Sequence, residues 1–143
     1  MTIRLKRFDP SVSIPEYKTP GAAAMDVSAR IDVTILPKQV GKIPLNFALD
    51  LPDGYFSLIA PRSSTHKLGL MSGNSIGIID SDYRGDNDEY IFLAYNFTDN
   101  PVTIEKGTRV AQMLILPVSR VRFEEVATLD TPDRGGFGTT GHH

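Results

Sequence analysis

The sequence predicts an all-β protein, folded as an antiparallel sandwich or barrel. Ten prolines and twelve glycines divide the 143 residues into short segments, and the segments between them are rich in β-branched and aromatic residues. Helical periodicity is nearly absent, whereas core-facing and outward-facing residues alternate clearly in Val33–Leu36 and Tyr90–Phe97. Many short strands between turn signals are typical of sandwiches and barrels.

Six strands are predicted in chain order: Ile31–Leu36, Ile43–Leu51, Tyr55–Ala60, Tyr90–Phe97, Val102–Ile104 and Val110–Val118. A shorter apolar segment, Ile76–Ile79, is strand-like. Ser63–Leu70 is the one helical candidate, with room for a turn or two before Gly73.

The end of the chain has a different composition. From about Ala127 it is dominated by Thr, Asp, Pro, Arg and Gly, which cannot bury enough apolar area to fold alone. We therefore expect a folded domain over residues 1–126 and a mobile arm over residues 127–143, unless a ligand or a neighbouring subunit orders that arm.

The composition also restricts the function. Fifteen Lys and Arg residues against seventeen Asp and Glu residues give a formal charge of -2, so the chain as a whole does not attract nucleic acid or anionic membranes. The apolar run Val110–Leu116, interrupted by Gln112, is far shorter than the roughly 18 residues of a membrane span. Thiol chemistry is excluded because there is no cysteine, and the polar N-terminus lacks a secretory pattern. These features predict a cytoplasmic protein that binds neither nucleic acid nor membrane.

Asp80 and Asp82 form the densest candidate for acid–base chemistry, directly after the Ile76–Ile79 segment. Residues two apart on a strand point to one face, so the two carboxylates would share a site there. Asp, Asn and Gly are also ordinary turn residues, and the stretch Asp80–Asp88 fits a charged hairpin turn. Taken alone, the spacing favours the turn.

A second candidate is Arg62 with Ser63 and Ser64, which offers a guanidinium and two hydroxyls to phosphate oxygens. A helix beginning near Ser63 would add its first backbone amides. One of the serines would also serve as a simple helix cap, and the two interpretations are compatible.

The glycine-rich segment Arg134–Gly141 has the composition of a phosphate-binding loop. Its glycines allow close backbone approach, and Thr139 and Thr140 provide hydroxyl donors. Phe137 has no core partner nearby, so its ring suits stacking on a base. Disorder of the terminus explains the same composition.

Five segments in chain order resemble the five motifs of the trimeric dUTPase family. They are Pro20–Val27, Pro61–Ser64, Gly73–Gly85, Gly107–Gln112 and Arg134–Gly141. Five matches in order are far more specific than one glycine-rich match. The resemblance implies a distorted, jelly-roll-like antiparallel β-barrel, a homotrimer with a mobile C-terminal arm, and hydrolysis of dUTP to dUMP and pyrophosphate. That reaction keeps uracil out of DNA and supplies dUMP for thymidylate synthesis.

The resemblance implies a role for each matched residue. Asp80 corresponds to the general base that takes a proton from the attacking water, and Gln112 to a residue beside the α-phosphate or that water. Asp26 corresponds to the carboxylate that holds Mg²⁺ through its waters. The residues implied to bind dUTP are Arg62, Ser63, Ser64, Asn74, Gly77, Ile79, Tyr83, Arg134, Phe137, Gly138, Thr139 and Thr140.

The same resemblance explains how the substrate would be selected. The hairpin from Asn74 to Tyr83 would recognise uracil through backbone groups and the Asn74 side chain, and Phe137 would stack on the base when the arm closes. Tyr83 would pack under the deoxyribose, where a ribose 2′-hydroxyl clashes with its ring. Asp82 is then structural. In the family, the hairpin, the phosphate-binding residues and the arm of each site come from three different subunits.

Three positions depart from the family pattern. Met25 stands where Tyr is usual, Ser63 is followed by Ser64 and Thr65 where Ser-Gly is usual, and Arg134 lies about two residues closer to Phe137 than in most members. The end of the hairpin, residues 86–89, is also extended and acidic.

Two other functions compete with dUTP hydrolysis. The related dCTP deaminases have a similar Arg-Ser-Ser segment but need a catalytic Glu three residues before the position of Asn96, where this chain has Leu93. A nucleotide-sensing or protein-binding module would keep the fold without turnover, but the candidates for base, metal and arm residues argue against it. An additional regulatory protein partner is compatible with either outcome.

Overall fold

The computed structural model describes residues 1–138 and 141, and this part of the chain is an all-β fold with one short 3₁₀ helix. Its strands are β1 (Arg4–Arg7), β2 (Met25–Ser28), β3 (Val33–Ile35), β4 (Val40–Pro44), β5 (Phe47–Asp50), β6 (Tyr55–Pro61), β7 (Leu70–Ser72), β8 (Gly77–Ile79), β9 (Ile91–Asn96), β10 (Val102–Ile104) and β11 (Arg109–Pro117). Their pairings are all antiparallel. The predicted all-β, antiparallel fold is confirmed.

The strands pair in four sheets, ordered β2-β11-β6-β8, β4-β9-β7, β1-β5 and β10-β3. The longest strand, β11, lies inside the first sheet, between β2 and β6. Gln112 on β11 is opposite Asp26 on one side and Ala60 on the other. This register brings three segments that are distant in the sequence to one end of the sheet.

The core lies between these sheets and is built by alternation. On β9, Phe92 and Ala94 are buried, whereas Ile91 points outward. Tyr90 is the largest fully buried side chain. Its ring packs against Phe47 with centroids 4.8 Å apart, and its hydroxyl is 2.9 Å from the hydroxyl of Ser57, so its polar end is satisfied as a buried phenol requires.

The long predicted strand Ile43–Leu51 is wrong as one element, because it is divided into β4 and β5 at Asn46. Asn46 has φ of 81°, a left-handed conformation that Asn tolerates better than most residues. Its buried side-chain amide accepts from the backbone of Asp9 at 2.7 Å and donates to the carbonyls of Asp9 and Val12, each at 3.1 Å. These bonds hold the break in place.

The predicted helix Ser63–Leu70 is correct only in its centre, where Thr65–Leu68 forms a 3₁₀ helix. It ends at Gly69, whose φ of 84° suits glycine, and Leu70 already belongs to β7. Strands β1, β2 and β7 were not predicted at all.

Residues 118–138 contain no helix or strand, and most of their side chains are exposed. Several are large and apolar: Val121, Phe123, Leu129 and Phe137. No helix in the described residues is long and apolar enough to cross a membrane.

Candidate functional site

A cationic cluster forms at the end of the large sheet, where Asp26 holds two arginines. Arg62 Nε donates to Asp26 Oδ1 at 3.1 Å, and Arg109 Nη1 donates to Asp26 Oδ2 at 3.0 Å. The carboxylate is mostly buried, whereas both guanidiniums remain partly exposed. One negative charge therefore fixes two positive charges side by side, and the cluster keeps a net positive charge that suits an anion.

The turn that carries Arg62 is held by Thr65. The Arg62 backbone amide donates to the Thr65 hydroxyl at 2.7 Å, and that hydroxyl donates to the Val110 carbonyl at 2.9 Å. Thr65 is almost completely buried. These two bonds connect the turn after β6 to β11 and fix where the arginine side chain begins.

The serines of this turn have no capping role in the described residues. Ser64 occupies the N-cap position of the 3₁₀ helix without a side-chain capping hydrogen bond, and Ser63 is exposed. Gln112 contacts the end of β6, just before this turn, because its Nε2 donates to the Pro61 carbonyl at 3.1 Å. The capping interpretation is therefore not supported for Ser64, and the anion-site interpretation stays a prediction.

A second cluster lines a cavity of about 350 Å³ beside β8. Its lining residues are Lys42, Asn74, Gly77, Ile78, Ile79, Asp80, Tyr83, Glu89, Tyr90, Ile91 and Leu93. The hairpin residues predicted to bind the substrate, Asn74, Gly77, Ile79 and Tyr83, are all in this set, together with Asp80, the predicted general base. The cavity has apolar walls with a few polar groups, which is the usual character of a small-molecule site.

Several lining residues were missed from the sequence, namely Lys42, Tyr90, Ile91 and Leu93. They enter through the pairing of β4 with β9, in which Lys42 lies opposite Leu93 and Pro44 opposite Ile91. Strand alternation indicates that Ile91 and Leu93 share the outward face of β9. The alternation of β9 was therefore visible in the sequence, but the register of its pairing with β4, which places these residues at the cavity, was not.

Tyr83 is held in the cavity at both ends of its side chain. Its hydroxyl donates to the Glu89 carbonyl at 2.9 Å, and its ring lies 6.2 Å from the Tyr90 ring, measured between centroids. Burial, together with the negative charges of Asp88 and Glu89, raises the pKa of Tyr83. The phenol therefore stays protonated at neutral pH and remains a hydrogen-bond donor.

Asp80 and Asp82 lie after the end of β8, in a turn closed by a hydrogen bond from the Tyr83 amide to the Asp80 carbonyl at 3.2 Å. The turn interpretation is correct, and the shared strand face is wrong because the strand ends at Ile79. The two carboxylates also differ in their surroundings. Asp80 lines the 350 Å³ cavity, whereas Asp82 lines a neighbouring cavity of about 510 Å³ that Asp80 also borders.

The described part of a single chain does not bring these parts into one site. Of five cavities formed by the described residues, none is lined by both the cationic cluster and the hairpin residues. Arg134, Phe137 and Gly138 lie in the exposed arm, and Thr139 and Thr140 lie outside the described residues. Hairpin, cationic cluster and arm are three separate pieces.

The carboxylates provide no protein cage for a cation, since the described residues contain no group of three or more His, Asp or Glu side chains suited to hold one. Asp26 fits a different kind of site. Both of its oxygens accept from arginines, yet each carboxylate oxygen has two lone pairs and can accept a second hydrogen bond. This suits Mg²⁺ that keeps its waters and is carried by a substrate phosphate.

Solved structures similar to this chain have the same fold. The dUTPase of Staphylococcus bacteriophage 80alpha, in complex with dUPNHPP, superimposes with a TM-score of 0.84 at 23% identity over 99% of both chains. The dUTPase of Streptococcus mutans gives a TM-score of 0.76 at 25% identity, over 83% of this chain and 98% of that one. The fold is therefore that of the dUTPases.

Sequence comparisons go further. Deoxyuridine 5′-triphosphate nucleotidohydrolase of Janthinobacterium sp. (strain Marseille) is 39% identical over 99% of both chains, and that of Shewanella oneidensis is 40% identical over 97% of this chain and 96% of its own. The dUTPase family model matches residues 11–141. The chain belongs to the dUTPase family.

Proposed function

We propose that this protein hydrolyses dUTP to dUMP and pyrophosphate by attack of water on the α-phosphorus. The observation that carries the proposal is the cavity beside β8, where Asn74, Tyr83 and the Asp80 carboxylate meet. Membership of the dUTPase family supplies the substrate. The cavity volume of about 350 Å³ lies within the range of about 300–1,000 Å³ that is usual for small-molecule sites.

Uracil is selected by the walls of this cavity. The backbone of β8 and the Asn74 amide offer fixed donors and acceptors, and a base that leaves one of them unpaired loses about 1–3 kcal/mol per buried group. Leu93 lines the same cavity, and its side chain has no ionisable group that could exchange a proton. The acid–base residue that deamination of cytosine requires at this position is therefore missing, which favours hydrolysis.

Asp80 is the proposed general base. It accepts a proton from the water as the water oxygen bonds to the α-phosphorus, and the bond to the bridging oxygen of pyrophosphate breaks. Asp80 suits this role because it borders the nucleoside cavity at the end of β8 and also lines a second open cavity. Water can thus reach the Asp80 carboxylate without passing the uracil ring.

Arg62, Ser63, Ser64 and Gln112 bind the triphosphate in this proposal, with Arg134, Thr139 and Thr140 of the arm closing over it. Positioning and charge stabilisation contribute most to such reactions. Asp26 has a double task, since it fixes Arg62 and would hold the waters of Mg²⁺. When bound, the ion neutralises the triphosphate and so reduces its repulsion of a nucleophile.

The separation of the three pieces supports a homotrimer with shared sites. Asp80 and Arg62 share none of the five cavities mentioned above, yet in this proposal both are needed at one triphosphate. A neighbouring subunit can supply the missing piece, and the arm over residues 127–143 can reach a further subunit at up to roughly 3.3 Å per extended residue. In a closed trimer with threefold symmetry, every subunit supplies the same pieces to its neighbours and receives the same pieces from them.

The first test is to incubate the protein with Mg²⁺ and dUTP, dCTP, dTTP or UTP and to separate the products by chromatography. Asp80→Asn should retain folding and dUTP binding while turnover falls by orders of magnitude, because the amide keeps the shape but cannot accept the proton. Asp82→Asn is the matched control and should remain active. Near-normal turnover of Asp80→Asn would reject Asp80 as the base, and binding of dUTP without turnover in the unaltered protein would indicate a sensor.

The second test addresses the shared site. Asp80→Asn and Arg62→Gln proteins, each inactive alone, are dissociated, mixed in equal amounts and reassembled. If each site takes these residues from different subunits, random assembly restores about one quarter of the sites, because each intact residue is present with a probability of one half. A site built within one subunit gives no recovery. An active monomer in light scattering would also defeat the model.

A further inference from the structure

We infer that Glu89 is a positioning residue for sugar selection: clamped by Arg30 and Asn46, it holds Tyr83 in the place that discriminates deoxyribose from ribose. This inference rests on the proposed function, because it concerns the same cavity and the same substrate. Glu89 itself need not touch the nucleotide. Its effect passes through its own main-chain carbonyl to the tyrosine.

The side chain of Glu89 is fixed by three hydrogen bonds. Arg30 donates from Nε to Oε2 at 2.7 Å and from Nη2 to Oε1 at 3.0 Å. The backbone amide of Asn46 donates to Oε2 at 2.9 Å. A bidentate pair fixes orientation as well as distance. Only 13% of the Glu89 side chain is exposed, so water competes weakly with these bonds, and the hydrogen bond to Glu89 raises the pKa of Arg30.

Arg30 is itself anchored in the fold. Its amide donates to the Pro44 carbonyl at 2.8 Å, and its guanidinium lies 5.9 Å from the centre of the Phe8 ring. Asn46 is locked in the break between β4 and β5. The clamp thus connects the hairpin to parts of the core that are distant in sequence.

The clamp reaches Tyr83 in one further step. The Glu89 carbonyl accepts a hydrogen bond from the Tyr83 hydroxyl at 2.9 Å. The next residue, Tyr90, is fixed because its backbone amide donates a hydrogen bond to the Phe47 carbonyl at 2.8 Å. The Tyr90 ring also lies against Tyr83. The side chain of Glu89, its carbonyl and the residue that follows it are therefore all fixed around Tyr83.

The extended hairpin makes such an anchor necessary. Residues 84–88 separate Tyr83 from Glu89, and most of them are exposed. They are held by weaker means, such as the Gly85 amide to the Asp88 carboxylate at 2.8 Å and Lys6 Nζ to the Asp86 carbonyl at 2.8 Å. Exclusion of one ribose hydroxyl requires a ring that cannot shift, since a misplacement of about 1 Å changes rates strongly.

The test compares kcat/KM for dUTP and UTP in Tyr83→Phe, Glu89→Gln and the double variant. Tyr83→Phe keeps the ring and removes only the donor, so the preference for dUTP should fall about 3- to 10-fold, the factor that corresponds to one hydrogen bond. Glu89→Gln should lower it by a similar factor. In the double variant the two effects should not add, because both act through the same bond.

Two variants serve as matched controls. Tyr17→Phe removes an exposed phenol hydroxyl, and Asp99→Asn breaks an exposed ion pair with Lys38 at 3.7 Å; both should keep the full preference for dUTP. Circular dichroism monitors folding, and if Glu89→Gln does not fold, Arg30→Lys replaces the bidentate pair with a single contact and should reduce the preference in its place.

The results distinguish a failure of the proposed function from a failure of the positioning role of Glu89. An unaltered protein that does not hydrolyse dUTP rejects the proposed function. If it does hydrolyse dUTP and Tyr83→Phe keeps the full preference, the positioning role of Glu89 is overturned. Additive effects in the double variant overturn it as well, since Glu89 would then act by another route.

Discussion

Thr65→Val tests whether one buried hydroxyl holds the turn that presents Arg62. The substitution keeps the shape of the side chain but removes the acceptor of the Arg62 amide and the donor to the Val110 carbonyl. Two hydrogen bonds with a net contribution of about 0.5–1.5 kcal/mol each give about 1–3 kcal/mol. The upper half applies because the Val110 carbonyl loses its partner at a buried position and the Arg62 amide at a partly buried one. At about 3 °C per kcal/mol for a chain of this length, the melting temperature should fall by about 6–9 °C.

Thr65→Ser is the matched control, because it keeps the hydroxyl and loses one buried methyl group, about 1 kcal/mol. Thermal and urea unfolding are measured at one protein concentration, since assembly would make the midpoint concentration-dependent. The KM for dUTP should rise more in Thr65→Val than in Thr65→Ser, because the Arg62 turn loosens. Equal losses of stability in the two variants would refute the role of the hydroxyl.

Three further predictions concern other parts of the chain. Gly41→Ala should cost about 1–3 kcal/mol of unfolding free energy, because its Cβ would come within 2.6 Å of Ile35 Cγ1, whereas Gly21→Ala, with nothing within 4 Å, should be neutral in the same urea titration. Hydrogen bonds from Lys106 and then Ser11 hold the pKa of Asp9 far below its ordinary value; this stabilisation is present above about pH 4 and is lost as the pH falls, so Lys106→Met should make the melting temperature less sensitive to acid. Removal of all residues from Arg134 onward should leave the melting temperature unchanged while dUTP turnover drops, because the arm contributes a lid and no core; full activity of the truncated protein would show the arm to be dispensable.

The sequence predicted the fold class well because alternation is a local property. Tyr90–Phe97 and Val110–Val118 were found within one or two residues of β9 and β11. The break at Asn46 was missed since an apolar run says nothing about the sign of φ, and the side-chain bonds that hold this break go to residues 34–37 positions away. Strand β1 was missed for a similar reason: Arg4–Arg7 is mostly polar and becomes a strand only by pairing with β5.

The candidate site divides in the same way. Asn74, Gly77, Ile79, Asp80 and Tyr83 are close in sequence, so a single motif is enough to group them. The ion pair of Arg109 with Asp26 spans 83 residues, and the pairing of β11 with β2 has a register irregularity between Arg109 and Ala111. Periodicity contains no information about such a pairing.

Charge separation within the chain explains how a protein with a net charge of -2 would bind a polyanion. The cationic cluster keeps two guanidiniums against one carboxylate, whereas the hairpin from Asp80 to Glu89 is strongly acidic. A nucleoside triphosphate has the same polarity, with a neutral base and sugar at one end and all its negative charge at the other. In the proposed site, the acidic residues that follow Asp80 in the hairpin disfavour the phosphates and tolerate the uncharged nucleoside, whereas the cationic cluster attracts the phosphates. One orientation of the substrate is therefore favoured, with Asp80 meeting only the α-phosphate. Because the two fields lie apart on each chain, a shared site between subunits would orient the substrate before any specific hydrogen bond forms.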